Sequence, residues 1–417
     1  MKQKILVKGP VLSQSGYGEQ ARFALRALRS REDIFDIYIH PVSWGKTNWI
    51  SVDNEERYWI DEQIRKTQLF TAQGGRFDIF LHVTIPNEFE NLAPINIGYT
   101  AGIETDKVAP EWIAKVNSMN KIIVVSNHAK DVFESTVYEG KNPQTGQSFS
   151  LSCNTPIEVV NYPVRKFDKK VLKLDLKYDF NYLAISQWGP RKNFDNLINW
   201  FVEENFDKEV GLVLKTSIRN NSLGDRMATE KRLEVILEKY KGRKCSVHLL
   251  HGDLSEEEMT GLYQTGKIKC LISTAHGEGY GLPLFEAAYN GLPVIAINWS
   301  GQTDFLCVPQ KNKDNKPLFL TIDYELKNVQ PEAVWKGVIN PDSKWAFPKE
   351  ASFKRRLSEV RDNYPKIKKQ AKTLQKYILE NFTEEKMYGN FCNPIIGDSF
   401  DAKSWFDELN SDIMEAE

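Results

Sequence analysis

A chain of 417 residues is too long for one ordinary hydrophobic core, so two domains with a cleft between them are expected. Fifty-five Lys and Arg against 56 Asp and Glu leave a net charge of −1, with no long-range field that would make nucleic acid the obvious partner. The five cysteines (Cys153, Cys245, Cys270, Cys307, Cys392) are scattered and lack C-x-x-C spacing, which argues against a disulfide framework or a zinc site and fits a reducing cytoplasm.

Near the start, Ile5-Leu-Val7 is far shorter than a signal-peptide core or a membrane span, and no long apolar run follows it. The expectation is a cytoplasmic protein without an integral membrane segment. Short β-branched or aromatic runs at 4–8, 35–40, 77–83, 95–101 and 121–126 alternate with helical patterns such as 19–30 and 111–119. That alternation predicts strand-helix-strand units and a parallel sheet. Within this half, Lys8-Gly-Pro-Val-Leu-Ser-Gln-Ser-Gly-Tyr-Gly runs from a strand through a loop into a helix, and Gly16 and Gly18 would let the backbone approach a substrate. The spacing fits neither a dinucleotide fingerprint nor a Walker loop. His82 and Glu104 follow at strand ends that could face the cleft, although a lone strand histidine is as often simply packed.

A polar stretch at 141–147 and a strand-like run at 157–160 precede a second series of strands at 182–187, 211–215, 246–251, 269–275 and 293–298. The reading is an α/β protein of two doubly wound parallel-sheet halves: residues 1–165 on the acceptor side, 166–385 on the donor side, and a tail, 386–417, packing back on the first half. The hinge falls near 163–173. In such sheets ligands collect outside the carboxyl ends of the strands.

Ile185-Ser-Gln-Trp-Gly-Pro-Arg-Lys-Asn193 lies at such an end and places Arg191 and Lys192 ahead of a helix over 194–204. Two fixed cations there would neutralise a leaving diphosphate; a solvated basic turn is the plain alternative. Lys215, ending the next strand, is a weaker third cation. After the apolar run 270–275 comes His276-Gly-Glu-Gly-Tyr-Gly-Leu-Pro-Leu-Phe-Glu286. Its glycines permit close backbone approach, and the amides of Gly279, Tyr280, Gly281 and Leu282 open a helix, which favours an anion such as a diphosphate. Glu278 would face sugar hydroxyls and Glu286 a ribose diol. His248, His251 and His276 lack metal-ligand spacing, so no metal site is expected. A helical stretch at 352–382 carries Lys354, Arg355, Arg356, Lys366, Lys368, Lys369, Lys372 and Lys376 and is interrupted at Pro365. Most such faces are merely solvated.

From Gln187 to Phe305 the text resembles retaining glycosyltransferases of the GT-B fold, in particular glycosyltransferase family 4. The resemblance implies two Rossmann-like domains facing a cleft, a Glu-x7-Glu element at Glu278 and Glu286, helix-start amides at Gly279 through Leu282, and a phosphate-binding basic loop at Arg191 and Lys192. Where the family often has an arginine five positions before the loop lysine, this chain has Gln187. The opening Lys4-Ile-Leu-Val-Lys-Gly-Pro with Ser15-Gly-Tyr-Gly resembles a subgroup associated with tailed-phage genomes, which would place the protein in a host cytoplasm.

The implied reaction is metal-independent, front-face transfer of a hexosyl or pentosyl unit from a nucleotide sugar, UDP-linked by family frequency, to an acceptor hydroxyl. The donor is a co-substrate, and no cofactor is implied. The acceptor would be a glycan or lipid-linked sugar, with a hydroxylated base of phage DNA as the alternative. A nucleotide-sugar epimerase of the same fold is the further alternative.

Overall fold

In the computed structural model, residues 2–141, 144 and 146–397 are described. Runs such as Ile79-Phe-Leu-His-Val, apolar but for His82, are buried at every position, as strands covered on both faces are, and they assemble into parallel sheets. The first half contains β1 (Gln3–Gly9), α1 (Gly16–Arg29), β2 (Phe35–Pro41), α2 (Glu55–Ala72), β3 (Ile79–Val83), β4 (Ile95–Thr100), α3 (Pro110–Val116), β5 (Lys121–Val124) and α4 (Asn127–Ser135). A hairpin of β6 (Val137–Lys141) and β7 (Ser148–Ser152) then leads to β8 (Ile157–Val159). The sheet order is β2-β1-β3-β4-β5-β8, all parallel.

Residues 160–178 carry neither helix nor strand and lead into the second half. There β9 (Asn181–Gln187), α5 (Phe194–Glu204), β10 (Gly211–Ser217), α6 (Leu223–Leu237), β11 (Ser246–Leu250), α7 (Glu256–Gln264), β12 (Ile268–Ile272), α8 (Leu282–Tyr289), β13 (Val294–Ile297) and α9 (Thr303–Leu306) succeed one another. After the hairpin of β14 (Cys307–Gln310) and β15 (Lys313–Pro317), β16 (Leu320–Ile322) completes a parallel sheet of order β11-β10-β9-β12-β13-β16. In each sheet the strand order reverses once, between β1 and β3 and between β9 and β12, and crevices open at those points.

A third antiparallel hairpin, β17 (Tyr324–Asn328) with β18 (Lys344–Pro348), was not anticipated from the sequence. Then α10 (Glu350–Asp362) and α11 (Tyr364–Asn381) follow, with Pro365 in the first turn of α11, where its missing N–H costs nothing. The predicted interruption at Pro365 is therefore a helix start. Four of the basic residues here are already paired: Lys354 with Glu203 and Glu350, Arg355 with Asp323, Arg356 with Glu359, and Lys376 with Glu380.

The chain returns to the first half beside its outward crossing, where Val164 N donates to Phe382 O at 2.7 Å. Helical residues 384–397 lie on the first half: Phe391 packs on Phe23 and Tyr99, Cys392 Sγ meets Ala27 O, and Lys121 Nζ donates to Pro394 O. The remainder of the predicted tail, 398–417, lies outside the described residues. One apolar cluster joins the halves at the crossing, through Phe23, Tyr162, Tyr280, Phe285 and Phe382. Among the described residues, no helix is long and apolar enough to cross a membrane.

Candidate active site

The reversal point of the second sheet is built from two loops. Beyond β9 the chain passes through Gly189 into a single turn, Pro190–Lys192, and Asn193 takes a left-handed conformation (φ 56°) that asparagine tolerates better than most residues. Beyond β12 the second loop is stitched to the first: Asn193 Nδ2 donates to Thr274 O, Thr274 Oγ1 to Asn193 O, and His276 N to Arg191 O. This stitching brings Arg191, Lys192 and Glu278 into one cluster. Lys192 Nζ lies 2.5 and 2.7 Å from the two Glu278 carboxylate oxygens, and Arg191 donates to Glu278 at 3.0 Å and to Gly277 O at 2.6 Å.

The first half completes the cluster, because Glu104, just beyond β4, meets Arg191 at 3.2 Å across the cleft. The Glu278 side chain is 12% exposed and that of Lys192 18%, so water screens these charges weakly. Burial pushes the Glu278 carboxyl up, but Lys192 and Arg191 outweigh it and hold the group below its ordinary value. Burial lowers the Lys192 ammonium, and neighbouring Arg191 lowers it further. Burial disfavours the Arg191 charge too, yet Glu104 and Glu278 more than restore it. Two cations facing two carboxylates can exchange partners for a ligand that carries both phosphate and hydroxyl groups.

The glycine loop presses on the first half. A Cβ at Gly277 would sit 2.8 Å from Glu104 O, and one at Gly279 would sit 2.9 Å from Ala101 O. These glycines thus permit the approach of the opposite wall's main chain, a more specific need than the expected approach to a ligand. Ser126 Oγ also donates to Gly279 O at 2.8 Å. From beneath, Ser300, at a left-handed φ of 69°, accepts from Glu278 N at 2.8 Å, and Gly301 N donates to Glu278 O. Gly281 (φ 96°) then starts α8 without any side-chain cap, and Pro283 occupies its first turn. Pro283 carries no N–H and the amides of Leu284 and Phe285 both donate to Gly281 O, so it is the positive end of the helix dipole, at Gly281 and Leu282, that stands beside Glu278.

The other expected site residues are placed as follows. Glu286 stands apart from Glu278: Tyr263 Oη donates to it at 2.8 Å, and Glu256, Glu19 and Arg165 surround it. Burial, and then the charge of Glu256, push its carboxyl up to about 8. Lys215 does not join the cluster; it donates to Gly252 O, and burial lowers its ammonium. Tyr280 packs its ring among Tyr162, Phe285 and Phe305, so only its backbone belongs to the loop.

His82 is 3% exposed between Phe80 and Phe89, near the Lys8–Glu90 pair, and burial pushes it down to about 4. It is packed on the first sheet rather than gathered with Glu104. Gly16 is open, whereas a Cβ at Gly18 would fall 1.9 Å from Ser13 O, so Gly18 serves the packing of α1. Between them Tyr17, which the sequence reading passed over, packs against Trp44 with ring centroids 4.3 Å apart and bonds Thr100 Oγ1 and Ala101 N through its hydroxyl.

Residues 165–312 match the family described as Glycosyl transferases group 1. The chain is a glycosyltransferase carrying a group 1 domain. Similar solved structures include sucrose-phosphate synthase from Thermosynechococcus elongatus, at 11% identity and a TM-score of 0.61, covering 96% of this chain and 100% of that one. The Anabaena protein HepE in complex with UDP and glucose has 12% identity and a TM-score of 0.58, over 95% and 100% of the two chains. A glycosyltransferase from Rickettsia africae has 13% identity and a TM-score of 0.55, over 94% and 99%. At these identities the likeness establishes the fold, which is GT-B. No curated protein matches the chain in sequence.

The sequence reading missed the residues that hold the glycosyltransferase's two halves together. Asp304 Oδ2 accepts from Asn127 N, Asn127 Nδ2 and Asn161 Nδ2, and Ser126 and Ser300 fix the glycine loop from opposite sides. The signal available was Trp299-Ser-Gly-Gln302, a small-residue turn directly after a strand of the switch-point sheet.

Proposed function

We propose that this enzyme is a retaining transferase that moves a sugar from a nucleotide sugar, UDP-linked, to an acceptor hydroxyl. The observation that carries the proposal is the Arg191–Lys192–Glu278 cluster at the switch point of the second sheet, beside the uncapped amino end of α8. In this reading the diphosphate takes the positive amino end of α8, at Gly281 and Leu282, and the two cations, which stabilise negative charge as it develops. Glu278, released from part of its pairing, accepts from hydroxyls of the transferred sugar. Glu286 lies further along α8, with its partner Tyr263 reaching it from α7, where a ribose diol would reach. The UDP and UDP-glucose named in the HepE complexes support a uridine donor.

In the front-face route the bond from the anomeric carbon to the diphosphate oxygen breaks, and the bond to the acceptor oxygen forms on the same face. The acceptor proton passes to the departing phosphate oxygen. Glu104 and Tyr17 lie on the first-half wall, where the acceptor would enter. A glycan or lipid-linked sugar is the acceptor we favour, because much of the charge on α10 and α11 that DNA would need is spent on intramolecular pairs.

A donor screen by thermal shift, followed by mass spectrometry of acceptor mixtures containing glycans, lipid-linked sugars or hydroxylated DNA, tests this reading. Stabilisation by UDP-sugars with transfer to one acceptor class is expected. Conversion of a UDP-sugar to its epimer without an acceptor would overturn it.

A further inference from the structure

The hairpin unforeseen in the sequence, β17 with β18, stands between the two glutamates that face each other across the cleft. On one side, Ala346 N in β18 donates to His276 O, while His276 Nδ1 donates to Ala346 O at 2.8 Å. His276 is also stacked on Trp345 (10° between planes) and accepts from Gln330 Nε2, whose amide oxygen in turn accepts from Trp345 Nε1. Burial pushes this histidine down to about 4, so near neutral pH the ring is uncharged, with its proton on Nδ1. It therefore serves as a fixed link to the loop that carries Glu278, two residues on.

On the other side, two residues earlier along the same strand, Lys344 N donates to Asp106 Oδ1 at 2.7 Å and Asp106 N donates to Lys344 O at 2.9 Å. Asp106 is two residues beyond Glu104. The segment joining β17 to β18 grips the first half further out. Val338 is buried with Ile103, Val108 and Trp112, Asn340 Nδ2 donates to Tyr138 Oη, and Lys107 pairs with Asp342. A single strand is thus bonded to both loops, and each bond lies two residues from one of the facing glutamates.

We propose that β18 is a positioning strap which holds Glu104 and Glu278 in register across the cleft, with Asp106 and His276 as its positioning residues. This rests on the transferase reading of the Glu278 cluster. Within that reading the strap fixes the distance between the acceptor wall and the donor wall. Without it, the Glu104–Arg191 ion pair, the packing of Gly277 and Gly279 on residues 101–104 and the Ser126–Gly279 bond would remain, none of which spans from Asp106 to His276, and small misplacements of reacting groups reduce turnover steeply.

The test uses the full chain with Asp106→Ala, Asp106→Asn and Glu104→Gln. Asp106→Ala is expected to lower kcat about tenfold with the donor KM within about twofold, as loss of alignment without loss of binding requires. Asp106→Asn, which keeps an acceptor oxygen, is expected to restore turnover. In the Glu104→Gln background Asp106→Ala is expected to add less than about twofold, since the two residues act through one arrangement.

Hydrogen exchange supplies a readout independent of activity. Asp106→Ala is expected to speed exchange at residues 104–106 and 344–346 and, through β18, at 276–282. Faster exchange confined to 106 and 344 with kcat unchanged, or a full tenfold loss added on Glu104→Gln, would overturn the proposal. If the unaltered enzyme transfers no sugar, the transferase reading falls, and exchange at 276–282 still decides whether the strap couples the loops.

Discussion

Replacing Glu286 by glutamine separates what this carboxyl costs the fold from what it gives the proposed donor site. Burial, then the nearby charge of Glu256, raises its pKa from 4.5 to about 8, while the hydrogen bond from Tyr263 opposes the rise. A rise of that size corresponds to about 5 kcal/mol if the group were wholly dry. Glu286 keeps partial solvent contact, so we discount this to about 2 kcal/mol. The folded state binds the proton more tightly than the unfolded chain, so this contribution to stability is present below pH 4.5 and is lost as pH rises through about 8.

Glutamine has no proton to lose. Thermal melts of both proteins from pH 5 to 9 should diverge as pH rises, the Glu286→Gln variant gaining about 2 to 4 °C relative to the unaltered enzyme by pH 9. A donor whose ribose hydroxyls donate to Glu286 needs the carboxylate, so donor binding should release a proton and tighten towards pH 8. In the variant, donor binding should be weaker and flat with pH. Melting differences that do not change between pH 5 and 9 would refute the placement of a protonated carboxyl at this position.

Lys192→Ala and Glu278→Ala should each lower turnover about a hundredfold, as loss of one preorganised electrostatic contact does, measured as UDP release at saturating donor. Gly301→Ala would put a Cβ 1.9 Å from Gly279 O, so the glycine loop must move and donor affinity should fall at least tenfold by calorimetry, while Gly16→Ala, with open space around it, should leave activity within about twofold. Asp304→Ala removes the acceptor for Asn127 and Asn161 at the junction of the halves and should cost about 2 kcal/mol, read as a lowered Tm.

The parallel sheets were legible because their strands are short apolar runs separated by helical periods, a pattern that survives without tertiary information. The Arg191–Lys192 and Glu278 loops were legible for the same reason: both lie at the carboxyl ends of recognisable strands. Their convergence was not, since it depends on β9 and β12 being neighbours although residues 188–267 separate them in the chain. The strap was illegible because its hairpin partner β17 reads Tyr-Glu-Leu-Lys-Asn, polar and largely exposed, and because the residues that β18 itself bonds, Asp106 and His276, are remote in sequence. His82 was ambiguous for a physical reason: the end of a fully buried parallel strand looks alike whether its side chain meets solvent in a cleft or packs between Phe80 and Phe89.

Retention at the anomeric carbon, with Glu278 and the basic turn acting on a nucleotide sugar, is the centre of the mechanism proposed. The most direct test is proton NMR of the sugar freed from UDP-α-hexoses in the first minutes, when the enzyme uses water as a slow acceptor, or of the glycoside formed with a true acceptor. The α-anomer is predicted as the first product, and Glu278→Ala should suppress it. A first-formed β-anomer, or undiminished release by that variant, would contradict the mechanism.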